Sequence, residues 1–139
     1  MPASPMVRML LEQERQLSVT PTAREEILAR MTETETVLEQ GVGHIGDSLG
    51  YYIVTQRGLY YTDKEKVGFM KKREVSRFID RADLREVYIE QSPNARQFAY
   101  VRLQGERGRV GTIWLEDDFC TPSAYDQAAR VVDALAAGG

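Results

Sequence analysis

From Leu49 to Leu115 the chain alternates apolar and polar residues in short runs, and turn-forming residues separate the runs. Leu49–Thr55 and Leu59–Thr62 are rich in tyrosine and β-branched residues and flank Gln56-Arg57-Gly58, a pattern that predicts two strands joined by a tight turn. Thr34 to Ile45 reads as the strand before them, with Thr36-Val37-Leu38 its firmest part and Gly41, Gly43 and Gly46 permitting a bend or bulge. Val67 to Ile79 is mixed. Val75, Arg77 and Ile79 alternate with Ser76 and Phe78, as in a strand covered on both faces. Arg81 to Leu84 reads as a brief turn before a strand at Glu86–Gln91, and Ser92-Pro93-Asn94-Ala95 is a clear turn. The last hairpin pairs Phe98–Leu103 with Val110–Leu115 around Gly105-Glu106-Arg107-Gly108. In its first arm Phe98, Tyr100 and Arg102 share one face, and Ala99, Val101 and Leu103 the other.

Helical spacing brackets this β-rich centre. Thr20-Pro21-Thr22 is a start signal, with Thr22 and Glu25 at capping-box spacing, so a short helix is predicted from Pro21 to Met31 with Ile27, Leu28 and Met31 on its apolar edge. Thr121-Pro122 repeats the signal. Tyr125, Ala128, Ala129, Val132, Leu135 and Ala136 then form a stripe for packing on a sheet, leaving Asp126, Arg130 and Asp133 outside it. Residues 1–20 read as an extension, where Val7, Leu10, Leu11, Glu14 and Leu17 fit either an amphipathic helix or a frayed tail. The expectation is one domain over residues 21–139, mainly β, with about seven antiparallel strands and a C-terminal helix.

Composition narrows the class. At 139 residues, 42% apolar and 28% charged, the chain suits a single globular domain. No segment reaches the roughly 18 apolar residues of a spanning helix, and the stretch from Val7 to Leu11 is too short for a secretory leader. The lone Cys120 forms no internal disulfide and fits a reducing compartment, so a cytoplasmic location is expected. The net charge of −3 is unevenly spread: residues 57–109 carry thirteen Lys/Arg against eight Asp/Glu, the rest five against thirteen. A basic centre fits an anionic partner, and it equally fits the wet face of a half-exposed sheet.

Candidate chemistry is sparse. Gly41-Val42-Gly43-His44-Ile45-Gly46 spells G-x-G-x-x-G, but a strand pattern follows where a dinucleotide site needs a helix, so a flexible hairpin or bulge is expected. His44, the only histidine, reads as a loop residue, and Cys120 as a small buried or half-buried side chain. Glu116-Asp117-Asp118 reads as a solvated turn placing negative charge near a helix start. No residue set identifies a catalytic base with a nucleophile, a metal site or a cofactor cradle, so the expectation is a non-enzymatic protein with none of these.

Three passages stand out over roughly residues 24–137. The first runs from a short helix at Ile27-Leu28 to Glu35-Thr36-Val37-Leu38, an acid before an aliphatic pair. The second is Ile53-Val54-Thr55-Gln56-Arg57-Gly58-Leu59-Tyr60-Tyr61-Thr62-Asp63, and the third Phe78-Ile79-Asp80 with Leu84-Arg85-Glu86-Val87. In these passages and in the order of its elements the chain resembles the bacterial pleckstrin-homology-like (PH-like) domain family. The resemblance implies a PH-like barrel of two strongly bent, near-orthogonal sheets plugged at one end by the last helix. Tyr52, Val54, Tyr60, Ile113 or Trp114, Val132 and Leu135 would fill its core. Eukaryotic relatives bind phosphoinositides through a basic loop between their first two strands. Here the corresponding segment, Gly41 to Ser48, has no Lys or Arg and contains Asp47, which departs from that pattern.

The strongest partner candidate is the basic cluster Lys64, Lys66, Lys71, Lys72 and Arg73 with Phe69 and Met70 among it. Basic groups beside apolar ones suit an acidic protein segment or an anionic membrane, and the bland alternative is a charged tip that protects a sheet edge. Tyr51, Tyr52, Tyr60 and Tyr61 belong to pleated strands that bury a face, which argues against nucleic acid. The leading expectation is docking of a protein or peptide, by strand addition to an exposed edge. Peripheral attachment to anionic membrane and a small enzyme with an unidentified site are the alternatives, and residues 1–19 are a candidate for self-association.

Overall fold

The computed structural model describes residues 21–45, 48–69, 71–117, 120 and 123–137. Helix α1 (Pro21–Arg30) precedes seven strands: β1 (Val37–Ile45), β2 (Ser48–Thr55), β3 (Gly58–Lys66), β4 (Lys72–Asp80), β5 (Glu86–Glu90), β6 (Phe98–Gly105) and β7 (Gly108–Glu116). A 3-10 turn at Arg81–Asp83 links β4 to β5, and helix α2 (Ala124–Ala137) closes the described chain. The strands pair antiparallel in one sheet, in the order β4-β3-β2-β1-β7-β6-β5. β1 pairs with β2 along its length and with β7 only through His44 and Ile45. The edges β4 and β5 do not pair with each other, so the sheet stays open, and hydrogen bonding joins the expected two sheets into one. The extension at residues 1–20 lies outside the described residues.

Period-two alternation divides the side chains between two clusters. The inner face carries Tyr52, Val54, Leu59, Val101, Leu103, Ile113 and Leu115, on which α2 packs with Ala124, Ala128, Val131 and Leu135. The outer face of β1 to β4 carries Val42, Tyr51, Ile53 and Tyr60, covered by Ile27 of α1 with Leu28 and Met31 at its margin. The predicted apolar edge of the first helix is therefore its buried edge. Both faces of β4 are used, with Ile79 inward and Phe78 against the outer cluster. Tyr60 belongs to the outer cluster, and Trp114 is an outer-face residue 37% exposed. Around Trp114 lie His44, Phe98 and Tyr100, with ring centroids 4.9, 5.5 and 6.1 Å away.

Several boundaries differ from the sequence reading, each for a local reason. β1 begins at Val37, because Glu35 turns back to accept hydrogen bonds from Thr32 N (2.6 Å), Thr55 Oγ1 (2.8 Å) and Tyr60 Oη (2.8 Å). The bulge falls between Val37 and Glu39, whereas Gly41 and Gly43 stay in register with Tyr52 and Gly50. Their small size serves close approach instead: a Cβ on Gly41 would meet Tyr52 and Gln127, and one on Gly43 would meet Leu115. His44 is a strand residue opposite Trp114, not a loop residue. β3 continues past the expected strand end at Thr62 to Lys66, held to β4 by Arg77–Asp63 (3.1 Å) and Arg73–Glu65 (3.4 Å). Gly58 takes φ +151°, which a side chain rarely adopts, and so allows the two-residue turn before it.

The α2 stripe is also corrected. Its inward residues are Ala124, Gln127, Ala128, Val131, Ala134 and Leu135, while Tyr125 is 49% exposed and Ala136 is exposed. Ser123 and Asp126 cap the start, with Asp126 N donating to Ser123 Oγ (3.2 Å), and Asp117 Oδ1 accepts from Ala124 N (2.7 Å). The acid therefore sits at the helix start, as its position in sequence implied. Counting apolar residues alone omitted Gln127, whose buried amide bonds Tyr52 Oη and the Gln40 carbonyl. Burial raises the Tyr52 phenol above its ordinary range.

Candidate functional site

β4 ends at Asp80, whose carboxylate accepts from Ala82 N (2.9 Å) and starts the 3-10 turn. The turn leads from β4 to β5 and brings Leu84 and Arg85 to a cavity shared with Val132 and Leu135 of α2. Leu84, Val87 and Ile89 pack against the inner cluster, and so does Val132 from α2. Between β5 and α2 lies a cavity of about 330 Å³, lined by Leu84, Val87, Val132 and Leu135 with the charged Arg81, Arg85 and Glu86. One wall is β5 itself, which among the described residues has β6 on one side and no strand on the other.

Arg81 fixes this corner. Its guanidinium donates to the carbonyls of Gln56 (3.0 Å), Thr55 (2.8 Å) and Ala134 (3.3 Å), joining the β2–β3 turn to the last turns of α2. A cation at the carbonyl end of a helix is favourable. Burial lowers the guanidinium below its ordinary value, though it stays charged at neutral pH. Its Nη1 is buried and has no hydrogen-bond partner among the described residues.

The two sheet edges are unequal. In the middle of β4, Arg30 Nη1 donates to the Ser76 carbonyl (2.9 Å) and reaches Ser76 Oγ (3.3 Å), occupying a backbone acceptor that strand addition needs. β5 has the open edge, and the cavity beside it offers room for a side chain.

The basic cluster singled out in the sequence lies elsewhere. Lys64 and Lys66 end β3, Lys72 and Arg73 open β4, and Lys66 stands opposite Lys72 in the register. Lys71 and Phe69 lie in the loop between them, Phe69 being 92% exposed and Lys71 exposed. Arg73 already pairs with Glu65 (3.4 Å). The fold thus gathers these residues at one hairpin end, at the opposite end of β4 from Arg81 and the cavity. Met70 lies outside the described residues.

Cys120 is half-buried against the inner cluster, and burial pushes its thiol up to about 11. A thiol so displaced is held in its protonated form at neutral pH. Among the described residues no three of His, Cys, Asp and Glu stand together as a metal-ligand set, and no helix is long and apolar enough to cross a membrane. Sequence reasoning missed the cavity: Arg81 read only as part of a turn, and its contact with Ala134 spans 53 positions. Compared with known proteins, the chain matches no family model, no curated protein and no solved structure.

Proposed function

We propose that this chain is a cytoplasmic, non-enzymatic PH-like module that docks an extended peptide segment of a protein partner along β5. The observation that carries the reading is the edge of β5 that no described strand pairs, beside a cavity walled by Leu84, Val87, Val132 and Leu135 whose corner holds Arg81. A peptide added to that edge gains main-chain hydrogen bonds, and alternate side chains fall into the cavity. The PH-like assignment draws on the strand order, which divides into β4-β3-β2-β1 and β7-β6-β5 at the two-pair contact between β1 and β7. A contact so short leaves the two halves free to lie steeply to each other, with α2 packed on strands of both. The lone cysteine supports the cytoplasmic location.

Site-specific photo-crosslinking in the source cell tests the docking. A photoreactive side chain at Glu86 should trap a partner, while the same group at Asn94, in the turn after β5, should give background only. Equal yields at both positions would remove the β5 reading.

The exposure of Phe69 favours a second reading, attachment to anionic membrane through the β3–β4 tip. Each Lys or Arg near such a surface contributes about 1 kcal/mol, and a buried Phe adds about 2. The double substitution Phe69→Ser with Lys71→Gln should leave folding stability within about 0.5 kcal/mol and abolish co-sedimentation with phosphatidylserine vesicles. Unchanged sedimentation, or none by the parent chain, rejects this reading.

A further inference from the structure

We propose that the apolar stretch at residues 6–11 of the same chain covers the aromatic row on the outer face of β1, β7 and β6. Directly opposite residues of an antiparallel pair share a face. The register therefore sets Leu49, His44, Trp114 and Tyr100 side by side on adjacent strands, all on the outer face. The His44 and Tyr100 rings flank Trp114 at 4.9 and 6.1 Å, and Phe98 meets it edge-on at 5.5 Å. Arg102 closes the row, its guanidinium 4.9 Å from the centre of the Tyr100 ring and its Nε donating to Glu90 (2.6 Å).

Only part of the outer face has a cover. α1 lies over β3 and β4, and Leu49 packs at the margin of its cluster. α2 fills the opposite face. Past Leu49 no described helix lies over the row, and Trp114 stays 37% exposed with His44, Tyr100 and Phe98 half-buried. A single exposed apolar residue needs no partner, but adjoining rings with a polar rim mark a surface that something covers.

Position, composition and reach choose the occupant. Because α1 stands on the outer side of the sheet, the chain that leads into it at Pro21 arrives on that side. Those leading residues lie outside the described ones. Met6, Val7, Met9, Leu10 and Leu11 make residues 6–11 apolar but for Arg8, whereas residues 12–20 are mostly polar. From β4 to β7 is four strand spacings, about 19 Å, and residues 12–20 span up to about 30 Å when extended. A tether of that length holds the stretch at an effective concentration on the order of millimolar. A second copy of the chain at micromolar concentration competes poorly with it.

Trp114 is the only tryptophan, so its fluorescence reports this surface alone. In the full chain, Leu10→Asp together with Leu11→Asp should shift the emission to longer wavelength and open the indole to acrylamide. Leu17→Asp, in the tether, should do neither. Both variants should keep the parent's far-UV circular dichroism, since neither touches the two described cores. A second readout leaves the apolar stretch intact. A nitroxide on Ser4→Cys, in an isotopically enriched Cys120→Ser chain, should broaden the indole N–H signal of Trp114. That broadening should persist after dilution with unenriched, spin-free chain. Equal emission and quenching in the parent and the double variant would overturn the inference, and so would an equal shift from Leu17→Asp. Broadening that is absent, or that is lost on dilution because a second copy is the cover, would overturn it too.

Discussion

Replacing Glu35 by Ala should destabilise the fold by about 4 kcal/mol, the cost of breaking up a buried charged network. The Glu35 side chain is 1% exposed and has Arg57 Nη1 at 3.8 Å. Its carboxylate accepts from the Thr32 amide at 2.6 Å, from Thr55 Oγ1 at 2.8 Å and from Tyr60 Oη at 2.8 and 3.0 Å. Removing it strands three donors, two of them on residues the fold buries, at about 1–3 kcal/mol each where no water replaces the acceptor. Tyr60→Phe removes one donor along with its need and should cost only about 1 kcal/mol. Urea denaturation of the two variants separates these accounts; equal midpoints would show that Glu35 is solvated rather than structural.

The same carboxylate sets a pH dependence. Burial by itself raises its pKa, but the bonds from Thr32, Tyr60 and Thr55 and the Arg57 charge outweigh burial and hold the group below the usual carboxylate range. A carboxyl lowered in the folded state binds its proton more readily once unfolded. Its contribution is therefore complete above the unfolded value, near 4.3, and lost as pH falls through the lower folded value. The parent chain should lose stability over that acid window, and the Glu35→Ala chain should show a flatter acid limb. Across the other side of the network, burial and the bond to Glu35 push the Tyr60 phenol up to about 12.

The second large effect is expected at Gly41. Strand propensity alone favours valine over glycine in a strand interior by up to about 1 kcal/mol. Packing reverses the sign. A Cβ at this position meets the Gln127 amide and the Tyr52 hydroxyl, with Tyr52 Cζ at 2.9 Å, and both partners are buried between the sheet and α2. Neither yields without breaking the bond from Gln127 to Tyr52 or the one from Gln127 to the Gln40 carbonyl (3.1 Å). Gly41→Val should therefore destabilise by about 3 kcal/mol, as overpacking does, and lower the melting temperature by over ten degrees. A melting temperature at or above that of the parent would mean that α2 does not seat against β1 as described.

What the sequence made legible was whatever local alternation encodes. Ala99, Val101 and Leu103 announce their inward face by period two, and Ile27, Leu28 and Met31 announce theirs by helical spacing. The cluster from Lys64 to Arg73 was readable because neighbouring residues compose it. The cavity was not, since Arg81, Val87 and Leu135 meet only once the chain has turned back through two hairpins. Gln127 was invisible for the same reason: its partner Tyr52 lies 75 positions away, and a polar residue on an apolar face has no periodic signature. Glu35 stood out in sequence as an acid before an aliphatic pair, yet nothing local indicated that Thr32, Thr55 and Tyr60 converge on it.

Hydrogen exchange at β5 tests the docking of a peptide most directly. Strand addition leaves the bonds between β5 and β6 in place and satisfies the outward amides, which alternate along Glu86–Glu90. With a display-selected peptide at saturation, every other amide of β5 should slow at least tenfold, while the amides of β4 stay as they were. Protection confined to β4 or to the Phe69 hairpin, with β5 unchanged, would contradict the account.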